Sequence, residues 1–152
     1  MEIRENHPLK AKNTFGLDVR AKYYTEISST AELSSLFSGK LIREVPHLIL
    51  GGGSNILFTN PVYEGLVIGI KLFGKTIEES DSNHVLLKAM AGEPWDELVA
   101  FAVSNNWGGL ENLSLIPGLT GASPIQNIGA YGTDISDVFV SLEAFDKNTG
   151  TV

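Results

Sequence analysis

Leu48-Ile49-Leu50-Gly51-Gly52-Gly53-Ser54-Asn55-Ile56-Leu57-Phe58 sets three glycines, a serine and an asparagine between two apolar runs. Glycine reaches dihedrals closed to other residues and lets another backbone or a ligand approach. Consecutive N–H groups in such a turn can form a nest for an anion. The pattern is not a dinucleotide fingerprint, because Ile56 stands where G-x-G-x-x-G needs its last glycine, and Ile56-Leu57-Phe58 reads as strand rather than helix start. It is not a phosphate loop of the Gly-Lys-Ser/Thr kind either. Taken alone, the stretch supports a tight turn or bulge and an anion nest equally.

Working outward, Tyr23 to Ile27 reads as a strand, rich in aromatic and β-branched residues. Ser29-Thr30-Ala31-Glu32 is a capping-box pattern. Leu33, Leu36 and Phe37 follow at helical spacing, with Gly39 as a stop. His47 to Leu50 is a second strand, so the order is β-α-β, which joins parallel strands. The glycines then lie at a strand's carboxyl end, where open α/β sheets bind ligands. Beyond them, Leu66 to Ile70 and Val85 to Met90 are strands. Glu93 to Leu98 opens a helix with Pro94 in its first turn and Asp96 and Glu97 at its positive end. Trp95, Leu98, Val99 and Ala102 form the buried stripe, and Gly108-Gly109 ends the helix. Val138 to Phe145 reads as a strand leading into a hairpin-type turn at Asp146 to Gly150. Only two residues follow that turn, so a fragment with a missing partner strand is expected. An uncovered sheet edge of this kind favours self-association.

The chain has 152 residues, no cysteine and a net charge of −7. Disulfides, zinc–thiolate sites, iron–sulfur clusters and a cysteine nucleophile are excluded. No basic cluster points to nucleic acid, and no apolar run is long enough for a membrane span. The polar N-terminus carries no signal-peptide pattern, so a cytoplasmic setting is expected. His7, His47 and His84 lack metal-ligand spacing, and no metal site is expected. Lys71 and Lys75 flank Gly74 and read as solvated lysines, with a phosphate contact as the alternative. Glu78, Glu79 and Asp81 read as a solvated charge run. Trp95 and Trp107 read as packing residues.

The segment Ile116 to Gly132 is too long and too apolar for a solvated loop. Ile116, Ile125, Ile128 and Ala130 call for burial, yet the backbone polar groups need partners. A flat ligand with a polar rim would satisfy both demands; a structural loop under the sheet is the alternative. Taken together, Asn13-Thr14-Phe15-Gly16, Leu50 to Asn55, Gly109-Leu110-Glu111-Asn112, Ile116-Pro117-Gly118 and Pro124 to Gly132 are similar, in order and spacing, to the UDP-N-acetylenolpyruvoylglucosamine reductase (UDP-N-acetylmuramate dehydrogenase) family. The similarity runs from about Asn13 to the last residues.

The resemblance implies an α+β FAD-binding fold of the vanillyl-alcohol oxidase and p-cresol methylhydroxylase type, in two subdomains. These are expected at 1–58 (small, α/β) and 59–152 (α+β, incomplete), with the C-terminal substrate-binding domain absent. It implies non-covalent FAD, NADPH as reductant and a UDP-sugar enolpyruvyl ether as substrate, in peptidoglycan synthesis. Gly51, Gly52, Gly53, Ser54 and Asn55 would bind the FAD diphosphate. Ile116, Pro117, Gly118, Ser123, Gln126, Asn127, Ile128, Gly129 and Ala130 would line the rest of the cofactor. Tyr131 would face the substrate, or be a buried tyrosine with a satisfied hydroxyl. Asn13 to Gly16 would shape the entry to the first subdomain, with a contact to the cofactor as a further role. Ala122 replaces a serine found in some members. The family's Tyr-Arg-x-Ser-type motif, proton-donating serine and late glutamate have no counterpart here, so no catalytic residue is expected before Val152. The alternatives are the flavin domain of another oxidase of that superfamily and a non-catalytic nucleotide-binding module.

Overall fold

The computed structural model describes every residue from Met1 to Val152. They divide into two units, Met1–Lys71 with Leu142–Val152, and Leu72–Ser141.

The first unit contains β1 (Arg4–Pro8), β2 (Arg20–Ile27), α1 (Thr30–Ser38), α2 (Leu41–Glu44), β3 (His47–Leu50) and β4 (Val62–Ile70). Its sheet runs β1-β2-β4-β3. β1 is antiparallel to β2, whereas β4 is parallel to both β2 and β3. The β-α-β reading is right in direction, but β4 inserts between the two strands it joins. Central strands of parallel pairs are covered on both faces and read as continuous apolar runs; Leu66, Val67 and Ile68 are accordingly fully buried. This insertion also moves the boundary expected at residue 58, because a unit ending there would lose its central strand. β1 was not legible, since its residues Arg4-Glu5-Asn6-His7-Pro8 are mostly exposed. The core joins Leu9, Val19, Ala21, Tyr24, Leu50 and Val67.

α1 starts as its sequence predicts. The Ser29 hydroxyl accepts from Glu32 N at 3.2 Å. The Glu32 carboxylate reaches one residue further back than a capping box requires, accepting from Ser28 N at 2.7 Å and Ser28 Oγ at 2.8 Å. Leu33 and Leu36 are buried.

The second unit contains β5 (Lys75–Ser80), β6 (Val85–Ala89), α3 (Trp95–Ser104), α4 (Ser123–Gln126), β7 (Gly129–Ala130) and β8 (Thr133–Asp134). β5 pairs antiparallel with β6, and β7 with β8. The stripe Trp95, Leu98, Val99 and Ala102 is buried as expected. With Leu113, Ile128 and Ile135, its first three residues form the core. α3 stops earlier than expected, at Asn105, with Asn106 in the left-handed region (φ 58°). Asparagine tolerates that conformation by bonding its own backbone, so it competes with glycine as a terminator.

The strand expected from Val138 to Phe145 does not form; Val140 and Leu142 are 72% and 58% exposed. β-propensity is a preference for a paired, half-buried surface, and here no ladder partner meets these residues. The turn that follows does close, through an Asp146–Thr151 bridge. No helix is long and apolar enough to cross a membrane.

Candidate functional site

In the first unit, β3 runs directly into the Gly51–Asn55 turn. Gly51 and Gly52 are exposed, and neither gives its N–H to the rest of the chain. Gly53 is buried at φ 71°, and a Cβ there would stand 2.1 Å from the Lys12 carbonyl oxygen. Only glycine satisfies both conditions. The Gly53 carbonyl accepts from Thr14 N at 3.2 Å and from Thr14 Oγ1 at 3.4 Å. Asn13 braces that contact. Its Nδ2 donates to Leu9 O at 2.9 Å and Leu17 O at 3.1 Å, and its Oδ1 accepts from Leu17 N at 3.0 Å. The Asn13-to-Gly16 segment therefore clamps the glycine turn, a closer role than the entry role expected of it.

Lys12 is tethered behind the turn. Its ammonium lies 3.2 Å from Glu26 Oε1 and 4.9 Å from the centre of the Tyr24 ring. The Tyr24 hydroxyl donates to the same Glu26 oxygen at 2.8 Å. That bond, helped by Lys12, holds the Glu26 carboxyl below its usual range against partial burial. The outer face of the turn offers exposed backbone without side chains, with Ser54 and Asn55 beside it. Such a surface suits an anionic group that the main chain can approach closely.

In the second unit, Leu115 to Tyr131 forms a strap anchored at many points. Trp95 Nε1 donates to Leu113 O at 2.8 Å. Asp96 Oδ1 accepts from Leu115 N at 2.6 Å, and Leu115 takes φ 61° with its side chain 82% exposed. Trp95 N donates to Gly118 O at 3.0 Å, Thr120 N to Glu93 O at 2.8 Å and Gly121 N to Ala91 O at 3.0 Å. A shallow depression on the strap is lined by Trp95, Ile116, Pro117, Gly118, Ala122 and Gln126, among others.

The residues expected along the strap separate into two groups. Ser123 is buried and donates its hydroxyl to Thr120 O at 2.7 Å; Ile128 belongs to the core. These two support the strap from behind. Pro117, Gln126, Asn127 and Gly129 are exposed, while Ile116, Gly118 and Ala130 are half-buried. Tyr131 is 91% exposed, which removes the buried-tyrosine reading. Ile125, expected to be buried, is 85% exposed. Leu115, Asn127 and Tyr131 all have positive φ. Left-handed backbone at non-glycine residues is costly and clusters at functional sites. Exposed apolar side chains on an anchored backbone are what a flat, largely apolar ligand needs.

Sequence reading missed Glu93 and Lys75. The Glu93 side chain is 7% exposed and pairs directly with Lys75 Nζ. It also accepts from Gly74 N at 2.7 Å. Lys75 first, and Gly74 with it, hold the Glu93 carboxyl below its usual range against the cost of burial. Lys75 is thus paired rather than solvated. The only signal was an acid directly before a helix-starting Pro94.

The family profile described as an FAD binding domain matches residues 21–152. UDP-N-acetylenolpyruvoylglucosamine reductase of Amoebophilus asiaticus is 44% identical over 152 residues, 100% of this chain and 44% of that protein. The protein of the same name from Flavobacterium johnsoniae is 46% identical over 149 residues, 98% of this chain and 43% of its own length. The chain thus spans less than half the length of these relatives. The crystal structure of UDP-N-acetylenolpyruvylglucosamine reductase from Thermus caldophilus superposes with a TM-score of 0.64 at 25% identity, covering 90% of this chain and 45% of that one.

Proposed function

The chain belongs to the FAD binding domain family, and from that premise we propose that it is the FAD-holding part of a UDP-N-acetylenolpyruvoylglucosamine reductase. The geometry that carries the reading is the glycine turn, whose exposed backbone at Gly51 and Gly52 is fixed by the Lys12–Gly53 approach.

FAD binds non-covalently in this reading. The N–H groups of Gly51 to Gly53, with Ser54 and Asn55, meet the diphosphate. The strap takes the rest of the cofactor through Ile116, Pro117, Gly118, Gln126, Asn127 and Gly129. Ala130 joins that surface, Ser123 and Ile128 hold it from behind, and Tyr131 faces the substrate. When bound, FAD would supply two-electron chemistry: a hydride originating in NADPH, together with a proton from a protein acid, would saturate the enolpyruvyl ether of UDP-N-acetylglucosamine and give UDP-N-acetylmuramate for peptidoglycan. The chain's own residues bind and orient. Gly53 keeps the turn pressed on Lys12, so donors to the diphosphate are ordered before binding and less entropy is lost. Leu115 and Ile125 cover apolar ligand surface and exclude water. Both the nicotinamide and the sugar nucleotide are cytoplasmic metabolites, so in this reading the work is done in the cytoplasm.

Titrating FAD into the purified chain tests this, with flavin fluorescence as the readout. Saturable binding, weakened about tenfold by Asn55→Ala for one lost hydrogen bond to a charged group, is expected. No saturable binding by a chain whose circular dichroism reports a folded protein refutes it.

A further inference from the structure

Glu93 is the buried acid that the binding reading above does not use, and it works at both ends. Its carboxylate takes the ammonium of Lys75, the first residue of β5, and, at 2.7 Å, the N–H of Gly74 just before that strand. Its main-chain carbonyl takes Thr120 N at 2.8 Å and Thr120 Oγ1 at 3.1 Å. Gly118 and Gly121 bond the residues on either side, Trp95 and Ala91. The rungs from Ala91 to Trp95 therefore carry the middle of the strap, and Glu93 is the central rung. Its side chain is tied to the start of the β5–β6 hairpin while its carbonyl holds the strap, so the two attachments meet in one residue. Lys75 is itself constrained, since its ammonium lies 5.8 Å from the centre of the Phe101 ring on α3.

A carboxylate buried this deeply is expensive unless it is paired and fully bonded. A well-packed apolar residue would give comparable or better stability at a site that only needed filling. An ion pair fixes direction, which a hydrocarbon does not. We propose that Glu93 is a positioning residue for cofactor binding: the Gly74–Lys75 clamp on its carboxylate aims its carbonyl at Thr120 and so sets the main chain of the FAD-facing strap. The inference rests on the FAD reading for its consequence and on the second unit alone for its geometry.

Two measurements on the whole chain separate the clamp from the cofactor. The first is amide hydrogen exchange without ligand, in the parent, Glu93→Gln and Lys75→Met proteins, with Glu78→Gln as control. Glu78 pairs with Lys88 at 3.6 Å on the surface of the β5–β6 hairpin. Exchange at Thr120 and Gly121 should rise about tenfold or more in the two clamp variants, while Val99 and Ala102 in α3 keep their protection. The control should leave Thr120 unchanged. A uniform rise through α3 and the strap would mean a merely structural pair and overturn the proposal. The second is the FAD affinity of the same four proteins, expected to fall about tenfold in the clamp variants only. Equal affinity in all four, with saturable binding, overturns the positioning role and leaves the FAD reading standing. Selective exchange at Thr120 with no FAD bound by the parent chain overturns the FAD reading and the cofactor consequence, but not the clamp.

Discussion

Gly53→Ala is the sharpest probe of the glycine turn, because two separate costs can be worked from its surroundings. The residue has φ 71°, and its added Cβ would sit 2.1 Å from Lys12 O, 2.9 Å from Lys12 C and 3.1 Å from Asn13 Cα. An L-residue in the left-handed region costs about 1–2 kcal/mol. The overlap is with backbone atoms, which cannot swing aside as a side-chain tip would, and forced overpacking costs about 1–3 kcal/mol more. Gly53→Ala should therefore lose about 2–5 kcal/mol. Gly16 is the control, with φ 63° and open space around the position a Cβ would take, no atom beyond its own chain neighbours lying within 4 Å of it. Gly16→Ala should lose the conformational part alone, about 1–2 kcal/mol. The difference of about 1–3 kcal/mol is roughly a 5- to 150-fold change in the folding equilibrium.

Urea unfolding followed by circular dichroism measures both variants, with an unchanged slope confirming that the shift in midpoint is a shift in stability. Moving the turn off Lys12 also strains the Thr14–Gly53 bonds, so FAD affinity should fall further in Gly53→Ala than in Gly16→Ala. Equal destabilisation by the two substitutions would mean that the Lys12 backbone yields freely and does not press on the turn.

Trp95→Phe should destabilise the second unit by at least about 1–3 kcal/mol, because it strands the buried Leu113 carbonyl that Trp95 Nε1 now satisfies; thermal unfolding of the variant checks this. The folded-state pKa of Glu93 is depressed, so its stabilisation is present above the ordinary carboxylate pKa of 4.5 and is lost as pH falls through the lower folded value. The gap in melting temperature between the parent chain and Glu93→Gln should then be widest near neutrality and should narrow below about pH 4. A gap that stayed constant from neutrality down to about pH 3 would show that the charge of Glu93 contributes nothing.

Features whose cause lies within a few residues were legible. Ser29 and Glu32 mark the start of α1 because a cap acts over three positions, and Trp95, Leu98, Val99 and Ala102 mark the buried face of α3 because the helix repeats about every 3.6 residues. The glycines at 51 to 53 were legible as a demand for unusual backbone, though not as to what presses on them: the answer, Lys12, lies far back in the chain. The same holds for the strap. Its length and apolar content announced a function, yet Ile125 is exposed and Ile128 is buried, a distinction set by how the backbone turns at Asn127, where φ is 42°.

What escaped reading depends on a remote partner. β1 has no apolar pattern of its own and becomes a strand only because β2 offers it an antiparallel edge. Val138 to Phe145 has the opposite history: its composition suits a strand, and without a facing ladder it makes none. Glu93 combines both difficulties. Its partners Gly74 and Lys75 lie 19 and 18 residues away, and on the other side Thr120 lies 27 residues away. Sequence shows an acid before a proline, and acids at helix starts are common for reasons of charge alone. Burial is what distinguishes this one, because a solvated carboxylate at α3 would have no need of Lys75. If the carboxylate were there only for the helix dipole, Lys75→Met would leave the Thr120 bond intact. The clamp predicts that breaking an ion pair at β5 loosens a backbone bond in the strap, a coupling that helix electrostatics alone does not produce.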